Sequence, residues 1–307
     1  MALLVLLVPL VLLAGVVVLV VHVVASLRGA PEPLAPAVAR AARRHEALVS
    51  AVATLAGAGA TVGFLMLPSL PLSPAGGIRT AGYALGAATA PYVGAVVLCL
   101  VRAVGERTWP RPRGDVRTAP LTRRTVLSTG GWRLVVLAAT IATGLLAVLL
   151  YGATATPDGQ RVARAVVAGG DVVGWASAGP YPGWYYGGPI ALGLAAVAVA
   201  ALLSLRVVTR RRPLPLVTRE HDDGVRRLAA ARLLAGAQLW TGAGVGLTML
   251  FAALALRSTD HLLGTALSGL VGATALLGSM VVAGTAVPGP RRRRPAVRPA
   301  SPDGVVA

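Results

Sequence analysis

The sequence predicts an all-α integral membrane protein with seven transmembrane helices, its N-terminus outside and its C-terminus cytoplasmic. Three observations carry that expectation. Of 307 residues, 55% are hydrophobic and only 13% charged, against about 45–50% and about 25% in soluble domains, so the chain lacks the polar surface a soluble fold needs. The apolar residues are gathered into runs of roughly 18 residues or more, the length that crosses ~30 Å of hydrocarbon at about 1.5 Å per residue. The 29 basic residues, every one an arginine, fall almost entirely into alternate connections between those runs.

Taken in order, the spans cover about 2–26, 46–67, 81–101, 133–152, 189–208, 233–256 and 262–287. Each is expected to be helical, because a backbone in lipid has no water to satisfy its N–H and C=O groups, and none of the runs shows the two-residue alternation of a barrel strand. Pro9 and Pro91 fall inside spans, where they imply kinks but not breaks. The first span resembles a cleavable secretion signal only in its small residues before Ser26. It has no basic leader and far exceeds a signal's apolar core of about 7–15 residues, so retention is expected.

Orientation follows from the arginines, since retained cytoplasmic connections carry the basic excess. Twenty-five lie on the side of the first, third and fifth connections and the tail; only Arg79, Arg161, Arg164 and Arg257 lie opposite. The plan is one span followed by three helical hairpins, making residues 1–287 a single polytopic domain with an outer loop at 153–188. Residues 288–307 read as a disordered basic cytoplasmic tail. Its Arg291–Arg294 run suits anionic lipid at the cytoplasmic face. With the basicity accounted for by topology, no nucleic-acid partner is expected.

Several chemistries are excluded by residues the chain lacks. Schiff-base catalysis and P-loop phosphate binding need a lysine amine, and there is no lysine. Cys99 is the single cysteine, so there is no internal disulfide or thiolate cluster, and its apolar neighbours mark it as a buried hydrophobe. Glu220, His221, Asp222 and Asp223 contain metal-ligand types. They read better as the first turns of a solvated helix capped by Thr218, with Asp222–Arg226 and Asp223–Arg227 as i,i+4 pairs. His45-Glu46 lacks the second histidine of a zinc-protease helix, with Val49 in its place. Ser177 between Gly174 and Gly179 misses the nucleophile-elbow spacing. No catalytic residue, cofactor or metal is therefore expected.

Two features suggest interaction surfaces. Gly59 and Gly63, Gly242 and Gly246, and Gly264, Ser268 and Gly272 form small-xxx-small faces that let helix backbones approach closely, either within the chain or against a partner helix or second copy. In the outer loop, Trp175, Tyr181, Trp184, Tyr185 and Tyr186 gather with Tyr151 among prolines and glycines. They read as an interfacial aromatic belt or as a rigid platform for an external ligand or partner. Within the spans the polar groups are Ser50, Thr54, Thr61, Thr140, Thr143, Gln238 and Thr241, and no charged group sits at mid-depth, which disfavours ion-coupled transport. The arginine-for-lysine bias suggests a bacterial plasma membrane. The expected function is a non-catalytic subunit or scaffold of a membrane assembly, with a permease or carrier of a small apolar or lipid-like substrate as the alternative.

Overall fold

The computed structural model describes residues 37–66, 79–108, 125–211 and 219–286. Their elements are α1 (Ala37–Met66), α2 (Arg79–Arg107), α3 (Val126–Thr154), β1 (Val162–Ala168), β2 (Asp171–Ala178), α4 (Trp184–Arg210), α5 (Arg219–Ser258) and α6 (Leu262–Gly284). All six helices are long and apolar enough to cross a membrane. They coincide with the second to seventh expected spans, α1 stopping one residue and α6 three residues short of the expected ends. The first expected span, with Pro9, and the tail with Arg291–Arg294 lie outside the described residues.

Local sequence explains the helix boundaries. α2 runs unbroken through Pro91. α3 is capped by Thr125, whose hydroxyl accepts from the Ser128 N–H while the Ser128 hydroxyl accepts from the Thr125 N–H, a reciprocal box that satisfies two orphan donors. Six residues after Thr125, Gly131 adopts φ 54°, ψ −149°, a backbone region essentially confined to glycine. The membrane rod proper therefore starts at Trp132, where Arg133 stacks 4.6 Å over the Trp132 ring.

α5 is the central helix. Ala229, Ala230, Leu233, Leu234, Ala235, Ala237 and Thr241 are all fully enclosed, which a helix achieves only when neighbours surround it. It contacts all five other helices. α1 pairs with α2, and α6 folds back on α5. Glycine sets the closeness of these contacts. A Cβ at Gly57 would meet the Gly94 carbonyl of α2 at 2.9 Å. One at Gly246 would meet the Gly272 carbonyl of α6 at 2.8 Å, and one at Gly242 would land on the Ser279 hydroxyl. Gly242, Gly246 and Gly272 thus serve packing within the α5–α6 hairpin. Gly264 faces the Leu256 side chain, and Ser268 accepts a hydrogen bond from the Tyr151 phenol at 2.8 Å. Gly59 and Gly63 differ: a Cβ there would meet nothing within 4 Å.

Outside the helices the described chain forms one small sheet. β1 and β2 pair antiparallel around the two-residue turn Gly169-Gly170, with a bulge at Val166/Val167. Both turn glycines have positive φ, as the tightest hairpin turns require.

Candidate functional site

Three places in the bundle hold polar side chains in organised arrangements. The first is the arginine-rich end, where α1 and α5 begin and α2 and α4 finish. Arg102 of α2 donates from Nη2 to Glu46 Oε1 of α1 at 2.6 Å and to the Ala229 carbonyl of α5 at 3.0 Å. Arg232 Nη1 of α5 stands 4.0 Å from the same Glu46 oxygen. Beside them Arg211 Nη1, just past α4, donates to Glu106 Oε2 at 3.2 Å, and its Nη2 lies 3.8 Å from Asp222 Oδ1. Arg226 donates from Nε to Asp222 Oδ2 at 2.9 Å, and from Nη1 to the Val208 and Thr209 carbonyls at 3.3 and 3.2 Å. Every one of these side chains is buried. Arg226 thus supplies donors to the last turn of α4, where carbonyls have no partner within the helix and positive charge is favoured.

This cluster corrects the sequence reading in two respects. The Asp222–Arg226 pair forms with the expected i,i+4 spacing, but it is buried between α4 and α5 and not solvated. The helix begins early enough, at Arg219, to carry Asp222 into the junction. Three further arginines assigned only to orientation, Arg102, Arg211 and Arg232, are internal ion-pair partners as well. Three carboxylates on or beside apolar runs, Glu46, Glu106 and Asp222, were the available signal: an acid flanking a span among so many arginines is a candidate for pairing. The side chains of Glu220 and His221 lie outside the described residues. Among the described residues no three His, Cys, Asp or Glu side chains converge as a metal site needs.

The second place lies deeper, between α3, α5 and α6. Gln238 of α5, only 2% exposed, donates from Nε2 to Thr140 Oγ1 of α3 and Ser279 Oγ of α6, both at 2.8 Å. Those hydroxyls give their own protons to Val136 and Ala275, the carbonyls one turn back. They can therefore only accept from the amide, and the bonding fixes which end of it is nitrogen. Gln238 Oε1 has no hydrogen-bond partner among the described residues. These groups line a cleft of about 310 Å³ whose walls are largely apolar.

The third place is the hairpin end. The aromatic residues expected to form an interfacial belt or a platform divide into two groups. Tyr181 and Tyr186 are buried in the core with Tyr151, the Tyr151 and Tyr181 rings meeting edge-on at 5.3 Å. Tyr181 shares a 2.7 Å hydrogen bond with Thr154, and burial pushes its phenol above the ordinary range with that bond opposing. Trp175, Trp184 and Tyr185 are exposed, Trp175 most of all at 72%. Trp184 still lays its ring on Gly152, where a Cβ would meet it at 2.5 Å. Around Trp175 the hairpin carries Val166, Val167, Val172 and Val173, all exposed. The turn before it is tied down by Asp158, whose carboxylate accepts from the Thr156 hydroxyl at 2.5 Å and the Gln160 N–H at 3.1 Å.

Set beside known proteins, the chain matches no family model, no curated protein and no solved structure.

Proposed function

We propose that this protein is a non-catalytic subunit or scaffold of a membrane assembly, held in a bacterial plasma membrane with its arginine-rich end in the cytoplasm. The observation that carries the reading is a helix face left uncovered among the described residues. Leu48, Val52, Leu55, Gly59 and Val62 follow one another along α1 at alternating steps of four and three, all exposed. That is the spacing of a helix-packing seam, and Gly59 gives it a point of close backbone approach. The interior supports the same reading. Charged side chains pair with one another at one end, and among the described residues α5 from Leu233 to Leu256 carries no charged group at the depth where ion coupling would need one.

The test is purification from native membranes at native expression, comparing wild type with Gly59→Leu. A membrane-protein partner or second copy that accompanies the wild type and is lost in the variant, with thermal stability unchanged, supports the proposal. A chain that purifies alone and moves a substrate across vesicles defeats it. A second reading, a carrier of a small apolar or lipid-like substrate, is favoured by one feature, the lateral cleft at Gln238.

A further inference from the structure

We propose that the α1 face receives a transmembrane helix of another protein, one with small residues at the depth of Gly59 and Gly63 and a carboxylate at the arginine-rich end. This rests on the subunit reading and names the chemistry of the partner. Leu48, Val52, Leu55, Gly59 and Val62 form the seam, and Gly63 lies beside it, also exposed. A Cβ at either glycine would meet nothing within 4 Å, so the aliphatic ridge is notched for one turn. Such a notch lets two helix backbones close on each other when the incoming helix is also small at that depth. The exposed face of α3 is bulky by contrast, with Leu145, Leu146, Leu149 and Leu150.

Charge selects the end of the partner. Arg44 stands one turn before Leu48 and flanks the seam, the place from which packed helices make the salt bridges that set partner choice. It is exposed, and among the described residues it has no ion pair or hydrogen bond. Arg102, Arg211, Arg226 and Arg232 at the same end are instead paired with Glu46, Glu106 and Asp222 inside the bundle. A second copy must lie parallel in the same membrane, and in that register it sets Val49 opposite Arg44 and leaves the charge unanswered. An acid on a different helix answers it, and opposite charge across a contact favours the right partner over wrong ones. Anionic headgroups offer the charge without a backbone to fill the notch.

The experiment uses the full chain in phosphatidylcholine nanodiscs with synthetic transmembrane peptides of about 24 leucines and valines. Each peptide carries two glycines four residues apart at mid-length, photoleucine beside them, and Glu, Gln or Lys at one end. After photolysis, adducts are mapped by peptide mass spectrometry. Expected are adducts on α1, about three- to tenfold more from the Glu peptide than from the Lys peptide, the range set by one or two exposed ion pairs. Arg44→Glu should invert that order, which a folding defect cannot do, and peptides with leucine for glycine should label α1 less. Equal labelling by the three peptides overturns the proposal. So does an order that Arg44→Glu leaves unchanged, or a Glu preference that added phosphatidylglycerol abolishes, which assigns Arg44 to lipid headgroups. Absence of α1 adducts overturns it as well, because residues 2–26 or a second copy then hold the face. If charge does not sort the peptides while Gly59→Leu still strips a partner from the chain in native membranes, the acidic helix fails and the subunit reading stands. Failure of the subunit reading shows separately, as a chain that purifies alone.

Discussion

Arg102 donates to Glu46 Oε1 at 2.6 Å across the α1–α2 contact, and neither side chain reaches solvent. Arg232 leans on the same carboxylate at 4.0 Å, so one acid serves two guanidinium groups from two different helices. Removing one partner of a buried pair costs about 3–5 kcal/mol, because the remaining charge is left uncompensated in a low dielectric.

Glu46→Gln is therefore expected to destabilise the bundle by about 3–5 kcal/mol, and by more than Arg232→Met, since the first orphans two cations and the second none. Replacing Glu46, Arg102 and Arg232 together by Leu, Met and Met should recover most of that loss, as apolar substitution of whole buried ionic groups usually does. Thermal unfolding in detergent measures all three. A Glu46→Gln variant as stable as the wild type would show that the cluster contributes nothing to holding the helix ends.

The glycines separate into two kinds that one experiment distinguishes. Gly242→Ala pushes a methyl onto the Ser279 hydroxyl and to 2.9 Å from the Ala275 carbonyl, and the backbone cannot yield as a side chain can. A cost of about 1–3 kcal/mol is expected, the usual range for overpacking. Gly59→Ala meets nothing within 4 Å and, in a helix, trades a poor former for the best one. It should leave detergent-phase stability unchanged or raise it slightly. Equal losses at both positions would mean that the α1 face is covered by packing within the chain.

Burial likewise divides the aromatics at the hairpin end. Tyr181→Ala removes a ring that is 1% exposed, packed against Tyr151 and bonded to Thr154; a loss of about 3–5 kcal/mol is expected, as for other buried aromatics. Trp175→Ala, on the open strand, should fall within about 0.5 kcal/mol of wild type. If Trp175 serves a partner or the outer leaflet, its replacement changes association and not unfolding temperature, so the two readouts are to be measured on the same sample.

What could be read from the residues was what lipid imposes on any chain. Six of the expected spans coincide with helices because unbroken apolar length and unsatisfied backbone groups leave no other solution. The charged cluster was missed because arginine beside a span has two uses, orientation and pairing, and sequence spacing between Glu46, Arg102 and Arg232 says nothing about contact across three helices. The β1–β2 hairpin was missed although its signal was present. Gly169-Gly170 between the valine-rich stretches 162–168 and 171–178 is a two-residue turn sequence, overlooked in favour of the aromatic composition around it. Gln238 was noted only as a polar group within a span. That its oxygen lacks a donor depends on where two hydroxyl protons go, which no sequence pattern records.

The turn that leads from α3 into the hairpin offers a pH readout that is independent of the membrane. The Asp158 carboxyl lies below the ordinary carboxylate range, first because the Thr156 hydroxyl donates to it and then because the Gln160 N–H does. For an acid so depressed, the folded turn favours the carboxylate. The contribution is present above the ordinary carboxylate pKa and is lost as pH falls through the depressed folded value. The side-chain carbon resonance of Asp158, followed by NMR from neutral to acid pH in nanodiscs, should titrate below the range of model peptides. Thr156→Val should move that titration up toward the ordinary value, and Asp158→Asn should remove it while speeding amide exchange at Gln160 at neutral pH. A titration at the ordinary carboxylate position in the wild type would mean that the Thr156 bond is not held in solution, and the turn would then not be what fixes the hairpin against α3.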